Sequence, residues 1–194
     1  LIGSFDDNVY CLNGEDGSLL WKFTTGANAD CCPCLGDLDN DGKLEVVFGS
    51  YDGYVYCLNG EDGSLLWRFE TGGLSAQCLG DVDGDGRLEA IVTSWSCVNL
   101  YCLNGENGSL LWEYTADGGL AEPSLGDVDG DNKLEVIVGS ADNNVYCLNG
   151  EDGSLLWKYA VGGHGGCVSL GDVNGDGLLD VIVCSNDNNI YCLY

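Results

Sequence analysis

Two phrases recur along this chain at a single spacing, and that repetition constrains the fold more than any other feature. YCLNGEDGSLLWKF begins at Tyr10 and returns with small changes at Tyr56, Tyr101 and Tyr146. Its cysteines stand at 11, 57, 102 and 147, with a fifth at 192, so the steps are 46, 45, 45 and 45 residues. A second phrase, GDxDxDGxLE, places its first aspartate at Asp37, Asp81, Asp127 and Asp172, in steps of 44, 46 and 45. Two interleaved phrases with one period imply one structural unit copied about four times.

Each unit reads as four short strands. The first is the run ending in Leu-Gly-Asp, as in Cys34 to Asp37 and Ser124 to Asp127. The second is LEVVFGS, LEAIVTS, LEVIVGS or LDVIVCS, rich in β-branched residues. The third, of NVYCLNG type, alternates Val and Cys on one face with Tyr and Leu on the other. The fourth is SLLWKF, and Gly-Glu-Asp-Gly before it is a tight-turn signature. No segment shows sustained helical periodicity, and 31 glycines fit many turns.

Four-stranded units that are apolar on both faces must stack on their neighbours. The expected fold is therefore all-β: a β-propeller-type array of four-stranded antiparallel blades, with about four repeats and four to five blades. The units fall at residues 1–26, 27–72, 73–117, 118–162 and 163–194. Trp21, Trp67, Trp112 and Trp157, one on each final strand, are expected as core anchors between blades.

The acidic phrase has the spacing of a calcium loop. Acids at positions 1, 3, 5 and 9 surround a tight turn, and the carbonyl at position 7 adds an oxygen for an ion that takes about six to eight. The candidate ligands are Asp37, Asp39, Asp41 and Glu45; Asp81, Asp83, Asp85 and Glu89; Asp127, Asp129, Asp131 and Glu135; and Asp172, Asn174, Asp176 and Asp180. Lys43, Arg87, Lys133 and Leu178 would contribute backbone carbonyls. An EF-hand is excluded, because its closing glutamate at position 12 is replaced by Phe48, Val92, Val138 or Val183 and a strand follows instead of a helix. Up to four Ca²⁺ are expected. The fourth loop should bind most weakly, since Asn174 removes a charge and Asp180 is a shorter closing arm. Asn132, at the turn position of the third loop, tolerates a left-handed backbone.

The net charge of −26 disfavours nucleic acid and anionic membranes as partners and favours cations. No apolar run is long enough for a membrane helix. The chain starts at Leu1, which suggests processing or trimming. Twelve cysteines suggest disulfides in an oxidising, extracellular setting, although small buried hydrophobes are an alternative reading. CCPC at 31–34 is local to one unit and reads as a crosslink more readily than as a catalyst.

Together the phrases resemble two known repeats. GDxDxDGxLExxxGS resembles the FG-GAP repeat, and GSxDGYVYCLNGEDGSLLWRF resembles the quinoprotein-like propeller repeat. The resemblance implies a surface propeller with calcium held between the first two strands of each blade, at Asp37, Asp39, Asp41, Glu45 and their counterparts. Such propellers usually close with more blades than fit here. The resemblance also implies a remote alternative, a quinoprotein-type oxidoreductase fragment with Cys31-Cys32 bonded to each other. Against it, the chain is short, the calcium phrase is repeated in every blade, and the only histidine is His164 in a glycine-rich turn.

The chain is expected not to be an enzyme. Its first unit lacks a first strand and its last unit lacks a fourth, which makes eighteen strands and leaves edges that invite association. The leading functional expectation is an extracellular, calcium-stabilised structural protein that assembles with itself into a surface layer or filament. The alternative is an adhesion or glycan-binding module that contacts a cell-surface protein or glycan. Tyr51 and Trp95, in the variable turns, are the candidates for its contact patch. Asn107-Gly-Ser is a weak glycosylation signal in a turn.

Overall fold

The computed structural model describes residues 1–29, 32–73, 75–94, 96 and 98–194. Cys31, Cys97 and Trp95 therefore lie outside the described residues. The described residues form eighteen strands and no helix, so no helix is long and apolar enough to cross a membrane.

The strands form five antiparallel sheets in chain order. The first holds β1 (Ile2–Gly3), β2 (Asn8–Leu12) and β3 (Leu19–Thr24). The second holds β4 (Cys34–Gly36), β5 (Glu45–Gly49), β6 (Tyr54–Asn59) and β7 (Leu65–Glu70). The third holds β8 (Ser75–Gly80), β9 (Glu89–Ser94), β10 (Asn99–Asn104) and β11 (Leu110–Thr115). The fourth holds β12 (Ser124–Gly126), β13 (Glu135–Gly139), β14 (Asn144–Asn149) and β15 (Leu155–Ala160). The fifth holds β16 (Gly165–Gly171), β17 (Asp180–Ser185) and β18 (Ile190–Leu193). Each sheet is a simple meander, the array is an open propeller, and its two end sheets have three strands each.

Period-2 alternation sends the two faces of each third strand to different neighbours. In the third sheet Leu100 and Cys102 pack with Tyr146 and Leu148 of the fourth. Tyr101 and Leu103, on the other face, pack with Val55 and Cys57 of the second. Four such apolar layers fill the spaces between the five sheets.

Every repeated hairpin carries the same irregularity. Cys11, Cys57, Cys102 and Cys147 pair with Trp21, Trp67, Trp112 and Trp157, and the register shifts immediately after each cysteine. Such a bulge bends the strand into the turn that follows. Asn59 then closes that turn: Gly63 N–H donates to its carbonyl at 2.9 Å, and Glu61 N–H donates to its side-chain oxygen at 2.8 Å. Gly63 has φ +72°, a conformation that favours glycine.

These turns receive the tryptophans of the preceding sheets. Trp21, Trp67 and Trp112 donate their indole N–H to the carbonyls of Gly60, Gly105 and Gly150 at 2.9, 2.7 and 2.8 Å. Their rings cover Gly63, Gly108 and Gly153, where an added Cβ would lie 2.6, 2.7 and 2.5 Å from ring carbons. The three tryptophans are 7–8% exposed. Trp157 is only half-buried. A second seam runs along the inner strands. A Cβ on Gly36, Gly80 or Gly126 would meet Leu79, Leu125 or Leu170 of the next sheet at 2.9, 2.5 and 2.5 Å.

The expectation of disulfides is corrected by the structure. All ten cysteines among the described residues are free thiols. Cys57, Cys102 and Cys147 are buried in the layers between sheets, where they act as small apolar side chains. Burial pushes the Cys147 thiol up to about 12, and it raises Cys57, Cys102, Cys78 and Cys34 as well. Thiols held neutral in this way are poor nucleophiles.

Candidate metal centres

The acidic phrase folds into a tight loop between the first two strands of the second to fifth sheets. Alternating aspartates hold the loop through its own backbone. In the second sheet, Asp37 accepts Asp41 N–H at 3.1 Å and Gly42 N–H at 3.0 Å, and Asp41 accepts Lys43 N–H at 2.8 Å. In the third, Asp81 accepts Gly84 and Gly86 N–H at 2.8 and 3.0 Å. Gly42 and Gly86 both have φ +86°, and Asn132 takes φ +67° at the same place, as its local tolerance of that region predicts.

The closing acids are buried beneath the loops. Glu45, Glu89, Glu135 and Asp180 are 1–2% exposed. Each accepts the N–H of loop position 2: Leu38 at 2.7 Å, Val82 at 3.0 Å, Val128 at 2.9 Å and Val173 at 2.8 Å. Burial pushes the Glu89 carboxyl up to about 7; the Val82 N–H opposes this, while the charges of Asp83, Asp85 and Asp81 reinforce it. Glu45 and Glu135 are raised in the same way, by burial first.

Three groups of side chains come close enough to share one ion. Carboxylate oxygens of Asp37, Asp39 and Asp41, of Asp81, Asp83 and Asp85, and of Asp127, Asp129 and Glu135 lie within 4.8 Å of one another in each group. Each group could chelate a divalent metal, since hard carboxylate oxygens suit such cations. The fourth loop does not form such a group among the described residues. There the Asn174 amide donates to Asp176 at 3.0 Å and to Asp180 at 3.3 Å, so a neutral donor stands among the carboxylates. At position 7 the charged side chains turn outward: Lys43, Arg87 and Lys133 pair with Glu61, Glu106 and Glu151 of the hairpin turns.

One recurring contact escaped the sequence reading. Tyr56, Tyr146 and Tyr191 donate their hydroxyls to Asp52, Asp142 and Asp187, four residues earlier. Asp52 also accepts Gly26 N–H, in the connection that follows β3, at 2.7 Å. The signal was present: an acid stands four residues before Tyr10, Tyr56, Tyr146 and Tyr191, and only Tyr101 lacks one.

The repeat and its sheet order match known proteins over almost the whole chain. The family described as outer membrane protein assembly factor BamB matches residues 5–193. The chain belongs to this family. The FG-GAP resemblance of the acidic phrase, by contrast, rests on those residues alone. Among solved structures, BamB from Moraxella catarrhalis is 20% identical, with 99% of this chain and 54% of that chain covered and a TM-score of 0.65. The computationally designed Ika8 protein is 14% identical, with coverages of 99% and 54% and a TM-score of 0.78. BBS1N, solved in complex with ARL6DN, is 14% identical, with coverages of 98% and 55% and a TM-score of 0.72. At these identities the structures show a shared fold, and this chain spans about half the length of each. No curated protein matches the chain by sequence.

Proposed function

We propose that the chain is a non-catalytic interaction propeller of the cell surface or extracellular space, stiffened by calcium. The supporting observation is a scaffold that carries carboxylate groups in successive blades, in a family described by an assembly factor and not by a reaction. Asp37, Asp39, Asp41 and Glu45, with their counterparts in the next two blades, would hold Ca²⁺, and Lys43, Arg87 and Lys133 would add carbonyls. The ion would neutralise clustered charge and tie the first two strands of each blade together. Four ions would lower the formal charge from −26 to −18 (−26 plus four times +2). The fourth loop, with Asp172, Asn174, Asp176, Asp180 and the Leu178 carbonyl, would fill last.

Adhesion to a protein or glycan is the favoured role. Exposed aromatics occupy the same turn in the first two sheets, Phe5 at 69% and Tyr51 at 53% exposure, which suits a contact patch. The test is binding of the calcium-loaded protein to whole cells and to a glycan array. Wild type should bind in a calcium-dependent way, and Tyr51→Ala should reduce binding several-fold with an unchanged melting temperature. Equal binding by the variant would remove the patch from the proposal. Self-association is a second reading, favoured by the three-stranded end sheets with their open edges.

A further inference from the structure

The contacts that bind each sheet to the next are repeated three times inside the chain, and each half of that contact is vacant at one end. On the fifth-sheet side, Trp157 is the one repeat tryptophan without a glycine turn to cover, and its indole N–H has no acceptor among the described residues. A groove of about 490 Å³ opens beside it, lined by Val128, Leu179, Val181 and Leu193 among others. Gly171, equivalent to Gly36, Gly80 and Gly126, has nothing within 4 Å of an added Cβ. On the first-sheet side the complementary pieces are bare. Gly14 and Gly17 repeat the turn that receives a tryptophan, yet an added Cβ at either meets nothing within 4 Å. Leu35 and Leu44 repeat the leucines that cover those inner-strand glycines, yet they are 52% and 53% exposed. They border a second groove, of about 420 Å³.

We propose that a second copy of this chain fills these surfaces head to tail, an interface that rests on the self-association reading and gives it residues. The β2–β3 hairpin of one copy joins β16 and β17 of the other as a four-stranded blade. That single placement seats the Asn13–Gly17 turn on Trp157 and brings Gly171 against Leu35 and Leu44. It displaces β1, which has two residues, and β18, an edge strand whose Ile190 is 72% exposed. The occupant is a copy of this chain because the missing contacts are those the chain already makes with itself, at three internal interfaces of the same chemistry. The contact is heterologous, so it builds a ring or a filament according to whether its rotation closes. The charge of −26 opposes it, so association is favoured by Ca²⁺ and by salt.

Gly14→Val and Gly171→Val test the interface without threatening the fold, since both positions have open space and neither has positive φ. The measurement is sedimentation velocity over a concentration series in Ca²⁺, beside thermal melting. Wild type should exceed the 20.5 kDa of one chain as concentration rises. Each variant should weaken association at least tenfold, with a melting temperature unchanged at dilutions where the wild type is also a single chain. A mixture of the two should recover association as a two-chain species, because one supplies an intact head and the other an intact tail. Association that survives in both variants overturns this interface and leaves the self-association reading standing. Variants that associate poorly but are not rescued by mixing overturn the head-to-tail arrangement. Wild type that stays monomeric throughout overturns both, and assigns the two surfaces to a different occupant, such as further blades of a longer chain.

Discussion

The indole N–H of Trp21 donates to the carbonyl of Gly60 at 2.9 Å. Gly60 N–H in turn donates to Leu44 at 3.1 Å, and the next residue, Glu45, accepts Leu38 N–H beneath the acidic loop at 2.7 Å. The tryptophan of one sheet and the carboxylates of the next thus bear on one short segment. An ion in that loop would stiffen the contact between blades as well as the loop itself.

Trp67→Ala should destabilise the protein by about 3–5 kcal/mol, the usual cost of removing a buried aromatic side chain. Trp157→Ala should cost clearly less in the dilute single chain, because its ring is half-buried and its N–H has no acceptor among the described residues. Urea unfolding of the two variants makes the comparison, and equal costs would contradict the latch between sheets.

Calcium should raise the melting temperature and EDTA should lower it. A site held at 100 times its Kd contributes about 2.7 kcal/mol. Isothermal titration should resolve three tighter sites and one weaker. Asn174→Asp should strengthen the weak site by restoring the missing carboxylate. A melting temperature indifferent to EDTA would refute the calcium reading.

The metal-free protein should lose stability as pH rises from about 4.5 to about 7. Glu89 titrates near 7 when folded against 4.5 for a free glutamate, so the folded state binds more protons in that window. Stability falls with pH wherever that holds. Calcium competes with the proton, so its affinity should increase as pH rises through 7. Denaturant unfolding of wild type and Glu89→Gln in EDTA checks the sign, and the variant should show a flatter profile.

Native alkylation should modify the exposed Cys32, Cys167 and Cys184 and spare Cys57, Cys102 and Cys147. A reducing agent should leave the melting temperature unchanged. Mass spectrometry of labelled peptides reads the first outcome, and a shift in melting with reductant would contradict the free thiols.

The blade architecture was legible because its determinants are local and repeated. β-Branched runs, alternating Tyr-Cys strands and glycine turns specify hairpins whatever lies beyond them. The acidic loops were legible for the same reason, since their spacing places three carboxylates around one turn. The cysteines were not. Their number suggested bridges, but pairing depends on distances between residues far apart in sequence, and the fold places Cys57, Cys102 and Cys147 in separate apolar layers. The Asp52–Tyr56 pair was also missed, because a spacing of four carries no meaning in a strand until a turn brings the acid back to the hydroxyl.

The sequence by itself determined the repeat, the strand pattern and the chemistry of the loops, all properties of neighbours along the chain. Only the tertiary structure decided which turns Trp21, Trp67 and Trp112 cover, which thiols are sealed away, and that Trp157 is left half-buried and Gly14 exposed. Those outcomes depend on how sheets stack, because an identical residue is core or surface according to whether a further sheet lies against it.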